Sequence, residues 1–277
     1  MVQEGVVKKW LAPEELGRIC GNGVSAVERI GREWLVSGGK RWRPLLTVSV
    51  FQALGGDALG RIQPVAVAVE CFHKASLIHD DIEDNDSKRY GAPTVHARYG
   101  VPAAINAGDW LIGEGYRLLA EAPFGDAVRA ELVRAAVQGH RELCVGQGEE
   151  LAYCMKPGPV TLEQVERLYA KKTSSAFEVA VQVGAIAAGA DSATRSRLSE
   201  FTRIAGVAYQ IKDDREDFQS TNGRAADLLA LRPTIYLAMA CGAEDEGIRK
   251  AVGDVWDSGR DGRQRFIGIV AASGIPE

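Results

Sequence analysis

The chain has 277 residues, 46% of them hydrophobic and 25% charged, which is ample for one large core and too apolar for an unfolded chain. A net charge of -4 with a pI near 5.7 excludes a general nucleic-acid-binding surface. The five cysteines, Cys20, Cys71, Cys144, Cys154 and Cys241, form no CxxC pair and no metal-finger spacing, which is the usage of buried thiols in a reducing cytosol.

The N-terminal stretch MVQEGVVKKWLAPEE carries no apolar signal core. Its Pro13, followed by Glu14 and Glu15, is a good helix start, with proline near the first position and acids in the first turn. Gly38-Gly39 breaks the chain before KRWRPLL. A long apolar helix then runs into LIHDDIEDND, Leu77 to Asp86, which packs five acids into seven residues, and GAPT at Gly91 to Thr94 breaks the chain again. Further on come AKKTSS and VAVQVGAIAAGA, the latter starting at Val179 and too short to span a bilayer. Leu198, Phe201, Ala205, Ala208 and Ile211 form a helical stripe that leads into a second acidic stretch, YQIKDDREDF, Tyr209 to Phe218. Sustained period-2 alternation is nearly absent and no internal repeat or low-complexity linker is found. The expectation is one all-α domain over 1–277, with about ten helices of 10 to 25 residues.

The acidic stretches carry the chemistry. On a helix Asp80 and Asp84 are four residues apart and Asp81 and Asp84 three apart, so all three carboxylates share one face. Asp213, Asp214 and Asp217 repeat that spacing. Like charges at those spacings repel, and no lysine or arginine balances the first set from its own face. Oxygen donors without sulfur or histidine favour Mg2+ over Zn2+, and Mg2+ takes one or two carboxylates together with phosphate oxygens. The alternative for either set alone is a solvated acidic face. An EF-hand fails because DNDSKRYGAPTV lacks the central glycine and terminal glutamate. Among the basic residues, Lys40 and Arg43 follow the flexible Gly pair, where a phosphate is received by backbone N–H groups and two cations. A helix start with surface basics is the alternative. His73 lies two turns before Asp80, where a lone helix histidine is more often a structural residue than a ligand.

The order GGKxxRP, HxxSLIHDDxxD, RxGxPT, KT, YQIxDD and a basic-x-Thr element resembles the trans-isoprenyl (polyprenyl) diphosphate synthases, from about Arg32 to about Ala240. The stretch DDIEDNDSKRYGAPTVHARYG is most similar to that of geranylgeranyl diphosphate synthases. The resemblance implies an isoprenoid-synthase bundle around a central cavity, a homodimer in the cytoplasm, and two substrates, isopentenyl diphosphate and an allylic diphosphate. It implies that Asp80, Asp81, Asp84, Asp213, Asp214 and Asp217 hold three Mg2+ ions, with Mn2+ as a substitute, against the allylic diphosphate. Lys40, Arg43 and His73 match the acceptor-diphosphate positions. Arg89, Lys172, Thr173 and Gln210 match positions around the allylic substrate, and Arg224 and Arg232 stand where lysines are usual. Product length is implied by Ser76, Ala75 and Phe72, behind Asp80. The first two are small, and Phe72 sits about 12 Å down the helix from Asp80. An inward ring there is a floor for geranylgeranyl-sized products. A ring packed on a neighbouring helix leaves the tunnel open to longer ones.

Three departures stand out. Tyr90 occupies the place of the second of two adjacent arginines, both post-motif lysines are arginines, with a different reach and fork geometry, and the sequence ends at RFIGIVAASGIPE, short of the usual pattern. Tyr90 favours a terpene cyclase or other prenyl transferase that does without isopentenyl diphosphate, whereas Lys40, Arg43 and His73 favour a synthase. The early end leaves open a silent regulatory subunit, against which stand two complete aspartate sets.

Overall fold

The computed structural model describes residues 4–21, 25–219, 230–257 and 259–274. Among these the only sheet is a hairpin of two two-residue strands, and fourteen α-helical segments and one π-helical turn make up the rest. The extra helices over the expected ten are short ones, such as Glu4–Trp10 (α1), Pro13–Ile19 (α2) and Val95–Tyr99 (α6). The Pro13 start holds: Pro13 opens α2 with Glu14 and Glu15 in its first turn.

The chain divides into two compact units. The first comprises 1–138 and 178–199. At its centre is Leu59–Glu83 (α5), packed on Trp42–Ala53 (α4) and on Val101–Ala120 (α7), with Ala26–Val36 (α3) against α7. Ile62 and Val65 through Cys71 are buried around the whole circumference of α5, which is the signature of a central helix rather than an amphipathic surface one. Ser25 and Glu28 form a reciprocal capping box that starts α3.

The second unit comprises 139–177 and 200–277, and its core gathers Val165, Tyr169, Ile235, Leu237, Val255 and Phe266. Its elements include the end of Asp126–Met155 (α8), then Leu162–Tyr169 (α9), the π-helical turn Ala170–Ser174, the end of Ser192–Gln219 (α11) and Ile235–Cys241 (α12). The stripe expected on α11 is not buried. Phe201 and Ile204 are 59% and 56% exposed, and the buried residues of that helix are Thr202, Gly206 and Asp214. Helical periodicity therefore gives the helix, and among the described residues its apolar stripe is not a buried face. No helix among the described residues is long and apolar enough to cross a membrane.

Candidate active site

In the first unit, α5 carries its carboxylates at its C-terminal end, with no basic residue in the last turn. Backbone carbonyls there present partial negative charge, so the position is electrostatically wrong for an acid and right for a cation. Asp84 closes the helix, its N–H donating to the Asp80 carbonyl at 2.8 Å. Asp81 is 1% exposed. Its Oδ1 accepts from Arg89 Nε at 2.5 Å, and its Oδ2 is buried with no hydrogen-bond partner among the described residues. Burial raises its carboxyl above the usual range, and Arg89 opposes that rise. A buried carboxylate oxygen without a partner is rare and invites a ligand, so these donors fit a hard cation.

Arg89 belongs to the hairpin Lys88–Arg89 (β1) and Ala92–Pro93 (β2), in which Arg89 pairs with Ala92. Tyr90 and Gly91 make its two-residue turn, both at positive φ, 54° and 77°, the geometry of a type I′ turn. Arg89 also approaches Asp86 at 3.6 Å, so in this structure it serves the acidic segment itself.

The acceptor-side residues converge only in part. Arg43 Nη1 meets His73 Nε2 at 3.1 Å, and the Arg43 guanidinium lies 4.4 Å over the Trp42 ring. Burial and the Arg43 charge hold the His73 imidazole well below its ordinary pKa, so it is neutral and Nε2 accepts from Arg43. Lys40 is exposed on the loop before α4. Behind the same loop is a group that sequence reasoning missed: Arg41 forms a buried ion pair with Glu70, and Lys74 is fully buried. The signal available for it was a lysine inside an apolar helix. Ala75 is buried, and Ser76 Oγ donates to the His73 carbonyl at 2.9 Å. The Phe72 ring packs edge-on against Tyr116 of α7 at 4.9 Å, with Gly115 making room beside it.

In the second unit the π-helical turn carries Lys172 and Thr173, and such turns concentrate at functional sites. Thr173 Oγ1 donates to Gln210 Oε1 at 2.7 Å, and Gln210 Nε2 donates to Asp214 Oδ1 at 3.1 Å. Asp214 is buried, and its Oδ2 accepts from the Tyr169 hydroxyl and, at 3.1 Å, from the Ile235 N–H. Both of its oxygens therefore have protein partners. Asp213 is exposed and Asp217 half-buried. Lys172 and Arg232 both reach Glu150 Oε1, at 2.9 and 3.4 Å. The Glu150 carboxylate and the Tyr169 hydroxyl are further residues that sequence reasoning missed. Their trace was charge complementarity, since Glu149 and Glu150 face Lys171 and Lys172. Arg224 lies outside the described residues. Among those described, no three His, Cys, Asp or Glu side chains form a ready-made metal cage.

An all-helical scaffold with two DDxxD helices, each beside a set of cations, defines an isoprenoid-synthase type of protein. The polyprenyl synthetase family model matches residues 24–264, and the chain belongs to that family. It is 35% identical over 222 residues to the short chain isoprenyl diphosphate synthase of Methanocaldococcus jannaschii, covering 78% of this chain and 66% of that protein. It is 34% identical over 229 residues to the geranylgeranyl pyrophosphate synthase of Geoglobus acetivorans, covering 79% and 69%. The chain thus spans just under two thirds of the length of the first of these relatives. Its structure superposes on the crystal structure of geranylgeranyl pyrophosphate synthetase from Pyrococcus horikoshii with a TM-score of 0.80 and 30% identity, over 99% of this chain and 82% of that one.

Proposed function

We propose that this prenyltransferase-family chain condenses isopentenyl diphosphate with an allylic diphosphate to give a trans-polyprenyl diphosphate of geranylgeranyl size or longer. It does so as a cytoplasmic homodimer in which 1–277 work as a single isoprenoid-synthase domain. The observation that carries the reading is the Arg43–His73 contact beside the Gly38-Gly39 turn. A cation and a neutral imidazole at that point suit a second diphosphate, which an enzyme acting on the allylic substrate alone does not need.

The carboxylates of Asp80, Asp81, Asp84, Asp213 and Asp217 are the groups that would hold Mg2+, or Mn2+ in its place, three ions in all. When bound, the metal neutralises the diphosphate leaving group. Asp214, spent on Tyr169, Gln210 and the Ile235 N–H, orients the helix that presents its neighbours. Lys172 and Arg232 receive the allylic diphosphate in exchange for Glu150. The allylic C–O bond breaks with its electron pair on the diphosphate, and the isopentenyl double bond supplies a pair to the carbocation. A proton then leaves to the released diphosphate. The protein provides charge complementarity and keeps water from the cation. Incubation with Mg2+, labelled isopentenyl diphosphate and farnesyl diphosphate tests this directly. Label in a longer diphosphate is the expected result. A hydrocarbon made from farnesyl diphosphate alone would establish the cyclase instead, and no turnover of either kind would establish a silent subunit.

A further inference from the structure

Lys74 is 0% exposed, and burying an ammonium is costly unless every proton is engaged. Here Nζ donates to the Ser37 carbonyl at 3.0 Å, to Ser37 Oγ at 3.1 Å and to the Gly38 carbonyl at 2.7 Å. It also lies 4.6 Å from the Trp34 ring and 4.7 Å from the Tyr90 ring, two rings whose centroids are 6.1 Å apart and which form an aromatic corner that stabilises a desolvated cation. Among the described residues no carboxylate lies within ion-pair distance of it; Arg41 engages Glu70 Oε1, and Glu70 attracts the ammonium from further off. The ammonium is therefore held behind the glycine loop by carbonyls and rings, without a directly ion-paired carboxylate.

Both glycines of that turn are shaped by this arrangement. A Cβ on Gly38 would stand 3.0 Å from the Tyr90 ring. One on Gly39, where φ is +124°, would stand 3.3 Å from the Tyr90 hydroxyl and 3.9 Å from Lys74 Nζ. Tyr90 holds its place at a cost, because a bulky residue at φ 54° is a backbone outlier in a position that favours Asn or Gly. An outlier kept beside a binding loop points to a use for that side chain. Arg41 is likewise left-handed, and its guanidinium caps the carbonyls of Leu35, Val36 and Ser37.

We propose that Lys74 is a positioning residue for the acceptor diphosphate: its ammonium, held against Trp34 and Tyr90, fixes the Ser37–Gly38 carbonyls and supplies from behind the turn the positive charge that an arginine at position 90 would supply from the front. Tyr90 is the cover of this cation and not a lost contact. The proposal rests on the acceptor reading of the Lys40 loop, so its test carries a separate control for that reading.

The test is a set of steady-state measurements with isopentenyl and farnesyl diphosphates varied in turn. Lys74→Met, and Tyr90→Asn, which removes the ring and suits the left-handed backbone, should each raise the acceptor KM about tenfold, a loss of about 1.4 kcal/mol, with the allylic KM little changed. The conservative Tyr90→Phe retains the ring and the wild-type acceptor KM. Tyr90→Arg should restore acceptor binding in the Lys74→Met background yet give no tightening in the wild-type background, a non-additivity that simple destabilisation does not produce. An unchanged acceptor KM in Lys74→Met and Tyr90→Asn overturns the proposal, as does a loss that Tyr90→Arg fails to recover. If Lys74→Met does not fold, Tyr90→Asn, at a residue 48% exposed, and its allylic-against-acceptor split decide alone. Lys40→Ala is the control. If it raises the acceptor KM while Lys74→Met and Tyr90→Asn do not, only this inference fails; if Lys40→Ala is also without effect, the acceptor reading fails with it.

Discussion

The two aspartate motifs share the spelling DDxxD and differ in what their second aspartate does. Asp81, at the end of α5, gives one oxygen to Arg89 and keeps the other buried without a partner among the described residues. Asp214, on α11, has both oxygens satisfied by Tyr169, Gln210 and the Ile235 N–H. The cations follow the same contrast. Lys74 in the first unit rests on carbonyls and rings, whereas Lys172 and Arg232 in the second share the Glu150 carboxylate. The first motif thus keeps a buried carboxylate oxygen open, whereas the second is closed by partners from its own unit. Equal spacing does not imply equal employment. The buried member of each pair shows the difference: Asp81 keeps one oxygen without a partner among the described residues, and Asp214 keeps neither.

The largest expected effect lies where the motifs are alike. Asp80→Ala or Asp213→Ala should each lower kcat/KM by at least about a hundredfold, as expected for several kcal/mol of leaving-group stabilisation. Turnover in EDTA should be abolished. Near-normal rates in either variant would remove the metal role. The next effect lies where the motifs differ. Asp214→Ala leaves buried donors on Tyr169 and Gln210 without their acceptor, at about 1–3 kcal/mol for each group so stranded. Asp213→Ala, at an exposed position, should stay within about 0.5 kcal/mol of wild type. Urea denaturation of the two variants compares them, and equal destabilisation would erase the distinction drawn between them.

Much of this arrangement was legible in the sequence. The helix class followed from periodicity, and the structure brings Arg43 to His73 and Thr173 to Gln210, residues that the resemblance groups by substrate. What stayed hidden shares a cause: partnership across long sequence separations. Glu150 meets Arg232 over 82 residues and Tyr169 meets Asp214 over 45, and no local pattern encodes either. The type I′ hairpin at Tyr90-Gly91 was concealed because tyrosine is a poor residue for that turn. The exposure of the stripe at Phe201 was not legible because period alone does not say whether a face is covered.

Product length sharpens the contrast from the middle of α5. The Phe72 ring is braced on Tyr116 and Gly115 of α7, as in the alternative where it packs on a neighbouring helix. Tyr116 is then the partner that decides whether the pair blocks the tail. Phe72→Ala should lengthen the product distribution by about one isoprene unit if the braced ring is the floor, since one unit needs roughly a helical turn of depth, about 5 Å. Radiolabelled products separated by chain length give the answer. A wild-type distribution already beyond geranylgeranyl, and unmoved by the substitution, would show that the tunnel passes the ring.

The smallest effect is a pH slope, and it separates the two classes of buried charge. Burial, with Arg41 and Arg89 facing it, lowers the Lys74 ammonium to about 7, while Glu70 opposes the shift; Tyr90, with its own hydroxyl raised by burial, faces it from the hairpin. An unfolded lysine keeps its proton to about 10.4. Between those values the unfolded chain binds the extra proton, so stability rises with pH across the window. The full cost of the buried charge is present below about 7. The slope cannot exceed about 1.4 kcal/mol per pH unit for one group. Wild type should therefore gain stability relative to Lys74→Met between pH 7 and 10 in urea melts, while its acceptor KM worsens over the same range as the ammonium is lost. Opposite movements of stability and acceptor binding are what a buried cation without a directly ion-paired carboxylate behind a phosphate loop requires. If the stability difference between wild type and Lys74→Met stayed flat with pH, Lys74 would be carrying its charge at the same cost folded and unfolded, and the contrast with the Glu150-paired cations would collapse.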